Sequence, residues 1–316
     1  MSDLIRVTPD NFTRAESDMY FAAQVKDGAF GRFHHLREPA DVRHQSVVAM
    51  NRDTLYSVAV FDLDAGPVTI TLPDPEGRFM SMEVINEDQY ALEVVYGGVH
   101  TLTRDRIGTR YVHPVVRTLV DPNDPKDIAA VHALQDAIVV RQANPGRFET
   151  PSWDPVSQKQ VRDALDALGK TMTDSRRTFG PQDKVDPVRH LIGTAIGWGG
   201  NPDADAYYIM TATPQNDGKT VYRLRVPADV PVDGFWSISV YDKDGYFAPN
   251  EQNAYSVNSV IARKDADGSV TVQFGGQGGT NLLPVTPGWK YCVRLYRPRP
   301  EILNGAWIFP EPLPAQ

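Results

Sequence analysis

Short apolar runs separated by turn sequences recur along most of this chain, and they constrain its fold more than any other feature. A first block of runs occupies residues 45–122: Ser46–Met50, Leu55–Leu63, Pro67–Leu72, Phe79–Ile85, Ala91–Tyr96, Gly108–Val112 and Val115–Val120. Turn residues such as Asp64-Ala65-Gly66-Pro67 separate the runs. Strands this short and this closely spaced are typical of a β-sandwich or a jelly roll.

A second block of runs follows in residues 187–316: Tyr207–Thr213, Thr220–Val226, Phe235–Tyr241, Val257–Ala262, Ser269–Phe274 and Trp289–Tyr296. The 25 prolines and 24 glycines lie in nearly every gap between runs, which favours short strands over long helices. We therefore predict a mainly β protein with two jelly-roll-like or β-sandwich-like domains. The length of 316 residues is also compatible with one large sandwich.

Helical patterns lie before the first block and between the two blocks. Thr8-Pro9-Asp10-Asn11 is a helix start, and apolar residues follow at helical spacing until Gly28. Asp124-Pro125 and Asp154-Pro155 are two further helix starts. The predicted domains are 1–44 (N-terminal helix and loop), 45–122 (first β domain), 123–186 (helical insert) and 187–316 (second β domain).

Composition excludes several classes of partner. The formal net charge is −8 and no basic run contains interleaved aromatic residues, so we expect no nucleic-acid partner. We expect no membrane partner, since no 18 apolar residues occur in succession, and a cytoplasmic location, since the N-terminus lacks the apolar stretch of an export signal. Cys292 is the single cysteine, and its apolar neighbours predict a buried, inert thiol.

The segment Met50–Ser57 concentrates polar chemistry at the start of a strand. Asn51, Arg52, Asp53 and Tyr56 supply an amide, a guanidinium, a carboxylate and a phenol. Alternation along an extended strand turns Asn51 and Asp53 to one side and Arg52 to the other, so these side chains cannot all enter one pocket unless the backbone bulges. One side is therefore structural, and the other is open to a ligand or a catalytic role.

Arg117 and Glu83 are charged residues inside apolar strand patterns. A buried guanidinium requires a carboxylate partner or an anionic ligand, and we predict Asp53 as that partner. Glu83 has two interpretations: a desolvated general acid or base that meets Tyr56, or a residue on the outward face of its strand. His100 follows a glycine turn and either moves protons or binds the backbone.

Other motifs fail to predict a cofactor or a metal. His34, His35 and His44 lack a carboxylate or cysteine at ligand spacing, so no metal site is predicted. The glycine cluster 193–200 lacks the spacing of a dinucleotide site, and the chain contains no Gly-x-Ser-x-Gly sequence.

Two sets of motifs resemble known domain families. The first set is Met50–Tyr56, Gly66-Pro67, Gly77-Arg78-Phe79 and Val116-Arg117-Thr118; the second is Gly234–Asp242, Gly245-Tyr246, Leu283-Pro284 and Arg294–Pro298 through Trp307. They are similar to the domains of unknown function numbered 1254 and 1214 (DUF1254 and DUF1214), which commonly occur in tandem. The resemblance implies two jelly-roll-like β domains with helices between them. Such proteins often show Asn-Arg-Tyr and Asn-Trp-Leu-Pro, whereas this chain has Asn253-Ala254-Tyr255 and Asn281-Leu282-Leu283-Pro284.

The leading functional hypothesis is a metal-independent, hydrolase-like enzyme that acts on a small or glycan-like substrate in a cleft of the first β domain. The expected catalytic residues are Asp53, Glu83, Tyr56 and His100, and the expected substrate-binding residues are Asn51, Arg52, Arg117, Tyr246 and Tyr255. The alternatives are a non-catalytic protein that binds a small ligand or carbohydrate, and aromatic β surfaces that form a homo-oligomer interface.

Overall fold

The computed structural model describes residues 4–45, 48–172 and 174–315, which form two compact units. The first unit comprises Met1–Arg37, Leu55–Leu119 and Ala129–Asp203, and the second comprises Glu38–Thr54, Val120–Ile128 and Ala204–Gln316. The predicted mainly β class, with an N-terminal helix and a helical insert, is confirmed. The units do not follow the predicted domain boundaries, because residues 45–54 group with the second unit and most of the helical insert groups with the first.

The described strands up to Arg141 are short, and the longest of them is Tyr111–Leu119. They are β1 (His34–His35), β2 (Thr54–Val58), β3 (Phe61–Asp62), β4 (Val68–Leu72), β5 (Met80–Asn86), β6 (Ala91–Val95), β7 (Gly98–Leu102), β8 (Tyr111–Leu119) and β9 (Val139–Arg141). One sheet has the order β1-β2-β8-β5-β6, with β3 paired to β8, and another has the order β7-β4-β9. Alternate residues of β4 and β5 fill the apolar core between these sheets, among them Val68, Ile70, Met82 and Val84.

Strand β8 joins two predicted strands, Gly108–Val112 and Val115–Val120, across a proline. Proline normally interrupts a central strand because it has no N–H to donate. Here the carbonyl of Pro114 accepts from the N–H of Ala59, which lies in the gap between β2 and β3. Because the partner strand is already interrupted there, the missing N–H costs little, and β8 continues through the proline.

The helices are α1 (Phe12–Lys26), α2 (Arg104–Ile107), α3 (Pro125–Asp136), α4 (Pro155–Gly169), α5 (Pro187–Gly197) and α6 (Pro300–Leu303). Asp154 caps α4 and Asp186 caps α5; each carboxylate accepts from two backbone N–H groups, and a proline opens each helix. Helix α5 was not predicted, although its Asp-Pro start matches that of α4. The glycines of α5 interrupt the apolar pattern that would have predicted this helix.

Helices α1, α4 and α5 share an apolar cluster that includes Phe12, Leu165 and Ile192. Asp18 of α1 lies at the edge of this layer with 2% of its surface exposed, and it accepts from Trp153 Nε1 at 2.8 Å. Burial raises the pKa of Asp18 to about 6, the Trp153 hydrogen bond opposes that shift, and nearby Glu87 adds to it. The first unit therefore holds a carboxyl group whose charge is costly.

The second unit is a sandwich of strands β10 (Ala206–Thr211), β11 (Tyr222–Val226), β12 (Trp236–Tyr241), β13 (Ser256–Asn258), β14 (Val270–Phe274), β15 (Leu282–Leu283), β16 (Lys290–Tyr296) and β17 (Leu313–Pro314). One sheet has the order β10-β16-β12-β13, and the facing sheet has the order β15-β14-β11-β17. Their shared core includes Leu224, Ile238, Phe274, Trp289 and Leu295.

Other predicted strands also differ from the structure, and the predicted strand Leu55–Leu63 is divided into β2 and β3. The prediction Ser46–Met50 falls partly on residues 46 and 47, which lie outside the described residues, and residues 48–50 are turn and coil. The predicted strand Val257–Ala262 is the shorter β13, since Asn258 Oδ1 accepts from the N–H groups of Val260 and Ile261 and turns the chain. None of the helices in the described parts of the chain has the length and apolar character needed to cross a bilayer.

We predict that Asp18→Asn stabilises the first unit at alkaline but not at acidic pH. The pKa of Asp18 in the folded chain, about 6, lies above the ordinary aspartate pKa of 3.8, so between these values the folded chain retains a proton that the unfolded chain has lost. The penalty on stability therefore grows as the pH rises through this window and is complete above it. Asn removes the penalty, and the free energy of unfolding should rise by about 1–3 kcal/mol near pH 8.

Chemical denaturation at about pH 8 and about pH 4 measures the effect. The exposed Asp10→Asn variant is the matched control and should change stability by less than about 0.5 kcal/mol at both values. An equal effect of Asp18→Asn at both pH values would contradict the prediction.

Candidate functional site

The sheet β10-β16-β12-β13 has a second face that is polar although it is buried. Along β12 and β16, every other residue enters the sandwich core, and the residues between them point to the opposite face. That polar face carries Ser237, Ser239, Tyr241, Asn258, Cys292, Arg294 and Tyr296. Burial raises the pKa of the Cys292 thiol, in agreement with the predicted buried cysteine.

Arg294 lies in the middle of this face with 4% of its surface exposed. It donates to Ser239 Oγ at 2.9 Å, to the carbonyl oxygen of Ala49 at 2.7 Å and to the hydroxyl of Tyr241 at 2.8 Å. Tyr241 in turn donates to the carbonyl oxygen of Met50 at 2.8 Å. Burial lowers the pKa of Arg294, but nearby ionisable groups, Cys292 first among them, raise it well above its usual value. The residue is a permanent cation that fixes the backbone at residues 49–50.

The next segment, residues 51–53, is held in place by hydrogen bonds of its own side chains. Asn51 donates to the hydroxyl of Tyr296 at 2.9 Å and accepts from the N–H of Asp53 at 2.8 Å. Asp53 is 1% exposed, and its Oδ1 accepts from Asn258 Nδ2 at 3.2 Å. Asn51 and Asp53 therefore both face the polar side of the sheet.

Asp53 Oδ2 has no hydrogen-bond partner among the residues that the structure describes. The Asp53 carboxylate lies near the Arg294 guanidinium, and its negative charge contributes to the raised pKa of Arg294. Asp53 is thus a buried acid in a fixed position, and its burial separates it from any large substrate.

Arg52 points away from Asn51 and Asp53 and lines a cleft of about 270 Å³ in the second unit. The cleft is lined by Arg52, Pro122, Asn123, Gln252, Asn253, Ala254, Tyr255, Ser256, Val257, Ile261, Ala262, Asn281 and Leu282. Both positions at which the chain departs from the usual motif pattern, Ala254 and Leu282, belong to this lining.

The Arg52 guanidinium lies 5.2 Å from the centroid of the Tyr255 ring and donates to the carbonyl oxygen of Ala40. Within the described parts of the chain it forms no salt bridge, and burial lowers its pKa. Among the described lining residues, Arg52 is the only one that carries a formal charge. A guanidinium that lines a cleft and has no carboxylate partner can bind an anionic or carbonyl oxygen of a ligand.

The first unit contains a separate buried ion pair. Arg117 of β8 donates to Glu83 Oε2 of β5 at 2.7 Å, and both side chains are almost fully buried. Arg117 also donates to the carbonyl oxygen of Gly199 at 2.9 Å and lies 5.5 Å from the Tyr56 ring centroid. The prediction that Asp53 is the partner of Arg117 is wrong, because the neighbouring strand supplies Glu83. Glu83 is also not on a solvent-exposed face, because every residue of β5 is buried.

The remaining predicted residues lie in local arrangements. His100 Nε2 donates to the carbonyl oxygen of Gly97 at 2.8 Å, as in the backbone-bound interpretation. Tyr246 lies in a turn in which its N–H donates to Asp242 Oδ1 at 2.9 Å, and it is not among the cleft-lining residues. Within the described residues, no group of three or more His, Cys, Asp or Glu is arranged to hold a metal ion.

Sequence reasoning missed Arg294 and Asn258 as members of the polar face. The signal for Arg294 was available, because it occupies the middle of an apolar strand as Arg117 does. Asn258 had no comparable signal, since its contact with Asp53 joins residues that are far apart in the sequence.

Comparison with family models identifies both predicted domains. The family model for DUF1254, described as a protein of unknown function, matches residues 30–106. The family model for DUF1214, described in the same way, matches residues 205–300. The chain carries DUF1254 and DUF1214 in tandem. The predicted resemblance is confirmed. The DUF1254 match includes residues 38–54, which fold with the second unit, so part of its motif supports the sheet that contains the DUF1214 motif.

Solved structures share this fold at low sequence identity. The VPA0106 protein from Vibrio parahaemolyticus has a TM-score of 0.72 at 17% identity, and the match covers 97% of each chain. A protein from Burkholderia cenocepacia has a TM-score of 0.50 at 14% identity, and the match covers 96% of this chain and 86% of the other. These similarities show the fold alone. Among curated proteins, none matches this sequence.

We predict strong energetic coupling between Glu83 and Arg117. Glu83→Gln leaves a buried guanidinium without its carboxylate and should lower the free energy of unfolding of the first unit by about 3–5 kcal/mol. Arg117→Met should cost a similar amount. The double variant should cost clearly less than the two losses combined, because neither charge is then left alone. A double-mutant cycle by chemical denaturation measures the coupling.

The control for this cycle is the more exposed pair Arg106 and Glu93 in the same unit. The coupling between Arg106→Met and Glu93→Gln should be below about 1 kcal/mol. A Glu83–Arg117 coupling no larger than this would show that the buried pair contributes little.

We predict that Arg294→Met destabilises the second unit by about 3–5 kcal/mol, because it leaves the Ala49 carbonyl and the Tyr241 hydroxyl without their donor. Arg223→Met, at an exposed position of β11 in the same unit, is the control and should change stability by less than about 0.5 kcal/mol. Denaturant unfolding of the two variants should separate them; equal stabilities would argue against a structural role for Arg294.

Proposed function

We propose that the protein binds a small ligand in the cleft of the second unit, and that Arg52 recognises an anionic or carbonyl oxygen of this ligand. The observation that carries this proposal is the pairing of Arg52 with Tyr255 in the wall of the cleft. These residues come from distant parts of the sequence, and the guanidinium has no carboxylate partner among the described residues. A ligand oxygen would take the place of the carboxylate partner that the described cleft lining does not supply.

The rigid support of Arg52 favours this role. Hydrogen bonds from Arg294 and Tyr241 fix the carbonyl groups of Ala49 and Met50, and Asn51 is fixed by its hydrogen bond to Tyr296. The backbone beside Arg52 is therefore held before any ligand arrives. A preorganised cation loses little conformational freedom on binding, which raises affinity.

Binding without bond cleavage agrees with the chemistry of the cleft lining. Among its described residues there is no carboxylate and no histidine, the groups that most often transfer protons in enzymes. Glu83 is engaged by Arg117, and His100 donates to a backbone carbonyl.

A metal-independent hydrolase that acts on a small or glycan-like substrate is the second candidate. The observation in its favour is Asp53 Oδ2, a carboxylate oxygen with no hydrogen-bond partner among the described residues. Its reaction would need Asp53 to reach the substrate, whereas the residue is 1% exposed.

We further propose that the two β domains are jelly-roll-like and that the protein is cytoplasmic. We also propose that its partner is a small molecule rather than nucleic acid or a membrane, and that it forms a homo-oligomer. The net charge of −8 supports the exclusion of nucleic acid.

The test is a ligand-observed NMR screen of a small-molecule fragment library against the full chain. We expect hits whose signals are lost with Arg52→Met but kept with the exposed control Arg223→Met. Hits that persist equally in both variants, or an absence of hits, would contradict the proposed site. Prolonged incubation of each hit with the protein distinguishes the two candidates, since a binding protein returns the hit intact and a hydrolase converts it.

A further inference from the structure

The lining of the cleft in the second unit contains both polar and apolar side chains. The polar side chains include Arg52, Asn123 and Gln252, and the apolar side chains include Ile261 and Leu282. A ligand with an oxygen-containing group and an apolar body complements such a lining.

The size of the cleft limits that ligand. Its volume is about 270 Å³. Pockets for drug-sized ligands range from roughly 300 to 1,000 Å³. The ligand is therefore a short chain or a single ring, and a long acyl chain or an oligosaccharide does not fit inside.

One amide in the cleft lining, that of Asn281, is already engaged within the protein. Asn281 Nδ2 already donates to the carbonyl oxygens of Arg263 and Thr271, and its Oδ1 accepts from the N–H of Arg263. Asn281 also has a positive φ of 53°, a conformation that asparagine tolerates better than most residues. It shapes the rim of the cleft and has little capacity left for a ligand.

Tyr255 does not offer the open ring face that a sugar needs. Its residue is 6% exposed, Arg52 covers the ring at 5.2 Å, and Phe247 packs against it edge-on with 5.6 Å between ring centroids. Carbohydrate stacking uses an exposed aromatic face, so this tyrosine positions the guanidinium instead.

We propose that the cleft binds a small monocarboxylate, with the carboxylate on Arg52 and the apolar body against Ile261 and Leu282. This inference rests on the proposed ligand-binding function and specifies its ligand class. The guanidinium fork matches the two oxygens of a carboxylate, and no carboxylate of the described lining repels that group. The apolar wall adds binding free energy in proportion to the ligand surface that it removes from water.

Isothermal titration of the full chain with hexanoate, hexanamide and glucose tests the ligand class. Hexanamide matches hexanoate in shape and lacks its charge. We expect hexanoate to bind at least about tenfold more tightly than hexanamide, since a charge-assisted hydrogen bond contributes about 1.5–3 kcal/mol. Glucose should not bind in the cleft.

Three variants and one control variant assign the binding to the cleft. Arg52→Met should weaken hexanoate at least about tenfold and abolish its advantage over hexanamide. Arg52→Lys should retain part of that advantage, because it keeps the charge and loses the fork. Leu282→Trp should fill the cleft and block both ligands, and Arg223→Met should change neither affinity. Circular dichroism and thermal unfolding verify that each variant is folded.

Equal affinities for hexanoate and hexanamide, no hexanoate binding, or hexanoate binding that survives Arg52→Met and Leu282→Trp would overturn the monocarboxylate assignment. Glucose binding that depends on Arg52 would also overturn it and leave the proposed ligand-binding function standing. If neither these probes nor any fragment of the library depends on Arg52, the proposed function fails as well.

Discussion

A buried guanidinium must have acceptors for its N–H groups, and this requirement shapes both units of the protein. Arg117 and Arg294 each lie in the middle of a long strand, on the face opposite the apolar sandwich core. In the first unit the acceptors are Glu83 and the Gly199 carbonyl, and in the second they are Ser239, the Tyr241 hydroxyl and a carbonyl of the segment 49–50. Each arginine therefore determines which part of the chain covers the second face of its sheet.

The consequence for function is clearest at the segment Asn51-Arg52-Asp53. Asn51 and Asp53 are committed to the polar face through Tyr296 and Asn258. Alternation along the chain then turns Arg52 to the opposite side, where it meets Tyr255 and lines the cleft. Structural and functional side chains thus alternate within three residues, and the structural ones hold the functional one in place.

Local signals accounted for much of the fold and for little of the site. The turn residues and apolar runs predicted most strands, and the Asp-Pro starts predicted α4, because both signals act within a few residues. Helix α5 was missed because its glycines weakened the apolar pattern, and β8 was divided because its continuity through Pro114 depends on a gap in the partner strand. The residues of the candidate site were named individually, but their partners were not, as the pairing of Arg117 with Glu83 rather than Asp53 shows.

The sequence by itself determined the mainly β class, the tandem of DUF1254 and DUF1214 and the need of Arg117 for a partner, since these follow from local patterns and from the cost of a buried charge. Only the tertiary structure decided which carboxylate Arg117 binds, that residues 38–54 fold with the second unit, and that Arg52 meets Tyr255 in a cleft. The physical reason is that strand pairing and side-chain packing join residues far apart in the sequence. Hydrophobic periodicity shows which face of a strand is buried, but it does not show which part of the chain packs against that face.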